Sequence, residues 1–497
     1  VDGALNDEPV RPAWAGRIVV VGFGCIGQGL LPLLQRHLTE DPGRITLLSP
    51  SSAAMARAAH QGFDARPGGL RRQGFEAALG PLLRPGDLLL NLSVGVDSVP
   101  LIALARRRGA LYVDTALEPW ADEPLRPPAR RSNHARREAA LALGRDPGGP
   151  TAVITHGANP GLVSHFVKAA LLQLAAGPDS APGPEPGLAS MVGATTTTAA
   201  ASMPAPQPAT REDWARLARD LGVRAIHIAE RDTQWSMVRR APGEFVNTWS
   251  VPGFVEEALQ PAELGWGTHE RTWPADARHH ARGCPASIWL DRPGAAVRVR
   301  SWTPLGGPLL GHLVTHAESI SIADHLTLGD PQAPAYRPTV HYAYRPCDDA
   351  LLSLHEMQAR GWAPAVGRRL LADDLIGGVD ELGVLLGGPA GGALWLGSQL
   401  TLAQARAACP GNSATSLQVA AGVLAAATWA VRHPQRGLLE PDDLPHQEIL
   451  ALARPYLGAL AAERTVWTPL QGRDLGFRRD TGAGTDDPWQ FAHVRVD

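Results

Sequence analysis

Arg17-Ile-Val-Val-Val-Gly22-Phe-Gly24-Cys-Ile-Gly27-Gln-Gly29 carries a valine-rich apolar run straight into glycines spaced G-x-G-x-x-G. Behind it Ile26, Leu30, Leu33, Leu34 and Leu38 recur at helical spacing. Strand, tight turn and helix in that order give the glycines their meaning. Gly22 permits the turn, Gly24 lets backbone N–H groups approach a pyrophosphate, and Gly27 lets helix and strand pack closely. The helix N-terminus adds partial positive charge for the phosphates. In a chain with 53 glycines the spacing alone is weak, and an ordinary strand–helix turn is the bland alternative. The flanks favour a dinucleotide site. Within the same turn, Cys25 supplies a small side chain rather than a catalytic thiol.

A second strand is expected at Arg44-Ile-Thr-Leu-Leu-Ser49. Its end usually carries an acid that holds the adenosine ribose, and here the residue is Ser49. A serine can hydrogen-bond the ribose but does not repel a 2′-phosphate. The sequence therefore points to a nicotinamide dinucleotide more firmly than to NAD over NADP. Further buried strands are expected at Asp87–Ser93, Ala110–Thr115 and Thr151–Thr155. Apolar helix patterns separate the early ones, which is the rhythm of a Rossmann-type, doubly wound parallel sheet in an α/β fold. Ligands in such sheets lie beyond the carboxyl ends of the strands. That rule brings Ser93, Thr115, Glu118 and the turn Gly157-Ala158-Asn159-Pro160-Gly161 to one crevice.

The expected organisation has three parts. Residues 1–160 form the dinucleotide domain, and 161–400 form a β-rich α+β catalytic and dimerisation domain. Residues 401–497 supply helical segments that pack back on the first domain. Residues 176–208, rich in Pro, Gly and Ala with Thr195 to Thr198 in a row, are predicted to be a mobile insertion outside the core.

Composition excludes several classes. The 497 residues carry 46 basic and 49 acidic side chains, well mixed, for a net charge of -3. No basic stripe points to nucleic acid and no polybasic end to a membrane surface. The longest apolar stretch, Leu417 to Val431, is alanine-rich and interrupted by Gln418, so it reads as a buried helix and not a bilayer span. No signal-peptide pattern is seen at the start. Cys25, Cys284, Cys347 and Cys409 are scattered without metal-ligand spacing, which excludes a cysteine metal site and fits a reducing cytoplasm. Lys168 is the sole lysine among 45 arginines. Arginine forms no Schiff base, so any enzyme–substrate imine has to use Lys168, whose plainer reading is a helix-face lysine with a solvated head.

The middle of the chain carries polar groups among apolar neighbours. In Ala225–Glu230, alternation puts Ile226, Ile228 and Glu230 on one strand face. In Phe245–Val251 the face is Phe245, Asn247, Trp249 and Val251, and in Leu313–Ile320 it is Val314, His316, Glu318 and Ile320. A carboxylate on an apolar face is costly unless it is paired, neutral or facing a cation. Taken singly, Glu230 reads as an arginine partner, Trp249 as core, and His316 with Glu318 as an edge pair. Together, acids and an indole suit an organic ammonium. Glu257 adds an acid on a helix-like flank.

Across these segments the chain closely resembles the bacterial homospermidine synthases, within the saccharopine-dehydrogenase-like group. The matching stretches include VVVGFGCIGQG (19–29), LYVDTALEPW (111–120), THGANPGLVS (155–164), GVRAIHIAERDTQ (222–234) and EFVNTWSVPGFVEEALQPAELGWGTHE (244–270). They continue with LVTHAESISIAD (313–324), HYAYRPCDDALLSLHEM (341–357) and VDELGVLL (379–386). The resemblance implies an NAD-dependent, usually homodimeric enzyme that joins two putrescines and releases ammonia. By motif it implies site residues Glu118, Asn159, Glu230, Trp249, Glu257, His316 and Glu318. Cofactor contacts are then expected at Gly22, Gly24, Cys25, Ile26, Gly27, Ser49, Asn91, Ser93, Thr115, Ala158 and Asn159. Ser49, where the resemblance leads one to expect Asp, and the 176–208 segment are departures. Two rivals are a net NAD(P)-dependent dehydrogenase or reductase of saccharopine or carboxyspermidine type, and a non-catalytic dinucleotide-binding sensor. The first needs dedicated arginines for substrate carboxylates; the second does not need the acids and His316.

Overall fold

The structure, a computed structural model, describes residues 11–123, 126–177, 208–314, 316–389, 392–472 and 487–496. Nearly all of the expected 176–208 insertion lies outside them.

The valine run forms β1 (Ile18–Val21), buried on both faces, and feeds the helix Cys25–His37. Around β1 stand β2 (Ile45–Ser49), β3 (Asp64–Pro67), β4 (Leu88–Asn91), β5 (Leu111–Asp114) and β6 (Ala152–Val153). Their order is β3-β2-β1-β4-β5-β6, with Leu438–Leu439 added beside β6. Every pairing in this sheet is parallel. The winding reverses between β1 and β4, so the ligand crevice lies at their carboxyl ends. The expected strand at 151–155 shortens to two residues. Thr155, at φ +53°, turns its N–H away from the ladder to the Asp114 carboxylate at 2.6 Å.

A mixed sheet builds the second half. At its centre β7 (Ala225–Asp232) runs parallel to the strand Thr339–Arg345 and antiparallel to Val379–Gly387. Ala393–Thr401 and Ala459–Thr465 extend one side, and Pro261–Gly265, Ser287–Pro293 and Ala277–His279 the other. The helix Ala414–Arg432 packs on Cys25–His37 and β5 on one side and on the strands Val379–Gly387 and Ala393–Thr401 on the other. It is long and apolar enough to cross a membrane, yet 94% of its apolar window is buried within the protein, as the alanine-rich sequence leads one to expect. Leu162–Ala175 shares this layer, and one continuous apolar cluster joins both sheets.

Three local expectations fail for physical reasons. The described residues of 313–320 do not form a strand: the strand is Gly307–His312, and a helix, Glu318–His325, begins at the acid. Period two cannot be told from helical period where nearly every residue from Leu313 to Ala323 is buried. Trp249 lies beyond its strand, which is Glu244–Asn247. Ser250 caps the following helix, Val251–Leu259, by accepting a hydrogen bond from the Gly253 N–H at 3.1 Å, a start signal that alternation masks. Lys168 does not keep a solvated head. Its Nζ is buried, donates to the carbonyls of Asp442 at 2.6 Å and Leu444 at 3.4 Å, and lies 5.5 Å from the Trp214 ring. The last hundred residues also serve both halves, since Ala459–Thr465 closes the second sheet and Trp489 and Phe491 pack against it.

Candidate active site

At the cofactor end, Gly22 has φ +93°, and a Cβ there would sit 2.6 Å from the backbone of Leu92 and Ser93. A Cβ on Gly27 would sit 2.7 Å from the Gly22 carbonyl. Gly24 faces open space and heads its helix with no side-chain cap. A tight turn, a close helix and uncapped N–H groups are what a pyrophosphate needs. The residues fit a dinucleotide. Burial pushes the Cys25 thiol up to about 11, so it is no nucleophile. Ser49 accepts the Ser51 N–H at 3.3 Å. The Asn91 carboxamide is engaged within its own turn, accepting from the Ser93 hydroxyl at 2.6 Å and donating to the Val96 carbonyl at 3.2 Å. Thr115 packs beside Gly157, and Ala158 is buried next to Asn159. Beneath them Asp114, raised to about 7 by burial, accepts from the Tyr112 hydroxyl and the Thr155 N–H.

At the other end the cis Asn159–Pro160 turn, β7 and the segment 316–318 converge. His316 Nδ1 lies 3.2 Å from Asn159 Oδ1 and 3.4 Å from Glu318 Oε1, while Nε2 lies 2.9 Å from Glu257 Oε2. Burial pulls the imidazole down, but two carboxylates facing one ring outweigh it and hold its pKa well above the ordinary histidine value. Glu257 is raised by burial, with His316 opposing. Glu230 is also pushed up by burial, and the Tyr342 hydroxyl donates to its Oε2. Trp249 joins through a hydrogen bond from Nε1 to the Tyr344 hydroxyl at 3.1 Å. Among the described residues, both Glu318 oxygens are buried without a hydrogen-bond partner, and Glu318 Oε1 faces His316 only as an ion pair.

Glu118 stands at the rim, its Oε2 accepting the Gly95 N–H at 3.1 Å, and burial and then Glu256 push it up. It lines both a cleft of about 740 Å³ and a narrow neck of about 20 Å³ that reaches Glu257 and His316. Arg136 at this neck is occupied by Glu256 at 2.8 Å and the Leu117 carbonyl at 3.2 Å. Five of the seven site residues expected from sequence, Asn159, Glu230, Glu257, His316 and Glu318, thus adjoin directly or through Tyr342. Trp249 and Glu118 meet them at opposite ends.

Sequence reasoning missed Tyr342, Tyr344, Asp232 and Asp380. Asp232 is two residues beyond Glu230 on the same face, and Tyr342 and Tyr344 alternate in His341-Tyr-Ala-Tyr-Arg345, so period two offered the signal. Asp380 stands opposite Asp232 in the sheet register, which one sequence does not disclose. Among the described residues no cluster suited to a metal occurs.

Two domain families match: the saccharopine dehydrogenase NADP binding domain over residues 18–153 and the saccharopine dehydrogenase C-terminal domain over 157–466. The homospermidine synthase of Blastochloris viridis is 48% identical across 99% of this chain and 100% of its own. That of Mesorhizobium japonicum is 43% identical over the full length of both. The chain belongs to the homospermidine synthase family. The crystal structure of the Legionella pneumophila homospermidine synthase in complex with NAD superimposes with a TM-score of 0.87 at 41% identity, covering 99% of each chain. The likeness covers both sheets, so the family's α/β architecture, with its dinucleotide domain over residues 18–153, is that of this chain.

Proposed function

We propose that this chain joins two putrescines into homospermidine, releasing ammonia, with NAD as its resident cofactor. The observation that carries this is the buried cluster of Asn159, Glu230, Glu257, Glu318 and His316, of which Glu257 and His316 line the neck, with Trp249 joined to it through Tyr344. Held by the glycine turn at Gly22, Gly24 and Gly27, NAD would supply reversible hydride-accepting chemistry with no net redox change.

The residues divide the remaining work. An alkylammonium has a pKa near that of lysine and must lose a proton before its carbon can give up hydride. Glu230, raised by burial, is a stronger base than an exposed carboxylate and takes that proton. Trp249 offers its ring face to the ammonium and to the cationic carbon–nitrogen double bond, worth about 1–2 kcal/mol when desolvated. Glu257 and Glu318 hold His316 charged, so it hands a proton to the departing nitrogen as the second amine attaches. Glu118 holds an ammonium at the rim. Against the net-dehydrogenase reading, Arg136 is the arginine among the described residues lining this neck, and it is already occupied.

Incubation with putrescine and NAD followed by mass analysis is expected to yield homospermidine and ammonia in equal amounts. Accumulation of reduced cofactor without homospermidine overturns the reading.

Two further elements belong here. The apolar side chains Trp235, Met237, Val238, Leu370 and Ile376 are exposed on a surface tied together by the pairing of Trp235–Ser236 with Leu375–Gly377. Arg369, which donates to the Val238 carbonyl, joins the Leu370 side to it. Such a patch suits a second copy of this chain. Light scattering is expected to give a dimer, and Met237→Glu a weaker one. Four unpaired thiols favour a cytoplasmic setting.

A further inference from the structure

Tyr342 and Tyr344 alternate on the strand Thr339–Arg345, which runs parallel to β7 with Tyr344 opposite Glu230. Their rings lie nearly parallel, 5.4 Å apart. The Tyr342 hydroxyl donates to Glu230, and its ring stacks on the His316 imidazole at 5.0 Å. The Tyr344 hydroxyl accepts from Trp249 Nε1. Phe254 meets both the Tyr344 ring, at 5.5 Å, and the Trp249 ring, at 5.6 Å. Both tyrosines are buried. Two adjacent rings therefore connect three site groups that arrive from separate stretches of chain.

We propose that Tyr342 is a positioning residue that aims the Glu230 carboxylate at the substrate ammonium and registers it against His316, while Tyr344 sets the angle of the Trp249 ring. This rests on the synthase reading above. A glutamate side chain has several rotamers to lose on ordering, and one fixed donor removes most of that freedom. A phenol also donates only to the oxygen that accepts it, which leaves the second carboxylate oxygen for substrate.

The groups facing Glu230 define what a change at Tyr342 does. Asp232 lies on its own strand and Asp380 on the neighbouring Val379–Gly387 strand. Tyr342 and Tyr344 occupy the other neighbour, and Asn159 and His316 come from the loops above. Burial is the largest influence, raising Glu230. Asp232 adds to it, and the Tyr342 hydrogen bond is the main opposition.

Tyr342→Phe keeps the ring stack and deletes one hydroxyl. The acid limb of kcat/KM for putrescine is expected to move up by about one pH unit, so that activity falls about tenfold well below the limb and recovers in alkaline buffer. NAD affinity, read by protein fluorescence, stays unchanged. An acid limb that stays where it is in the wild type overturns the proposal. As a second variant, 3-fluorotyrosine at position 342 keeps the hydroxyl and makes it a stronger donor, so the limb moves down; an unmoved limb there overturns the proposal as well. The infrared carboxyl band of Glu230, assigned by comparison with Glu230→Gln, titrates without turnover. It follows the same shifts even if the substrate is not putrescine, which separates failure of this inference from failure of the synthase reading.

Discussion

His316 sits between Glu257 and Glu318 with one imidazole to neutralise two carboxylates, and among the described residues neither Glu318 oxygen has a hydrogen-bond partner. Glu318→Gln removes one of the two charges that keep the ring protonated. Turnover is expected to fall about 100-fold, the scale of a lost positioned proton donor, with NAD binding intact by fluorescence. Trp249→Phe weakens the attraction for a cation and removes the donor to Tyr344, so KM for putrescine is expected to rise about five- to tenfold. At the far end of the cofactor site, Ser49 ends β2 and no acid occurs between Asp41 and Asp64. Ser49→Asp places a charge against a 2′-phosphate. Titration is expected to show at least about tenfold weaker NADP binding with NAD affinity nearly unchanged. At this scale the sequence was informative wherever a side chain had to be polar inside an apolar run, as with Glu230. It was silent on Asp380, because its neighbour Asp232 is close only through strand register.

Helices and strands were legible where turn residues and a change of pattern bound them, even when buried on both faces, as β1 is. The glycine turn with its flanking strand and helix has clear punctuation, and the βαβ rhythm after it follows. The stretch 313–320 has none, its described residues being buried, so its polar and apolar letters alternate without meaning a strand. Side-chain hydrogen bonds that end elements were hidden too, as where Asp114 captures the Thr155 N–H and truncates β6. Lys168 makes an element-scale test, since it ties the helix Leu162–Ala175 to the carbonyls of Asp442 and Leu444. Lys168→Met leaves both acceptors buried and unpaired. A stability loss of about 2–4 kcal/mol in urea is expected, with kcat unchanged where the protein remains folded. Abolished turnover in a folded variant would instead make the lysine an imine former. At Gly422 the Ala414–Arg432 helix presses on the Gly157 carbonyl, which sets the height of the turn carrying Asn159.

Two sheets with a shared helical layer place a dinucleotide crevice and a pocket of buried acids against one another. Asp232, Glu257 and Asp380 are, like Glu230, raised first of all by burial. A carboxyl raised in the folded state binds protons that the unfolded chain has already released. Its stabilisation is complete below the ordinary carboxylate range and is lost as pH rises through the folded value. A bound diamine reverses that penalty by neutralising the ionised forms. The rise in Tm on adding putrescine is therefore expected to grow from pH 6 to pH 8, and a thermal-shift series checks it. This coupling of both halves was beyond the sequence, because it depends on how strands separated by more than a hundred residues line up.

In the proposed reaction, hydride leaves the substrate and returns to it without passing into solution. Putrescine fully deuterated at both amine-bearing carbons, incubated with the enzyme and unlabelled NAD, tests this most directly by mass spectrometry of the product. The prediction is homospermidine that has lost no deuterium, with no reduced cofactor accumulating. Product lacking one deuterium per joined pair, or label collecting in free reduced cofactor, would contradict it.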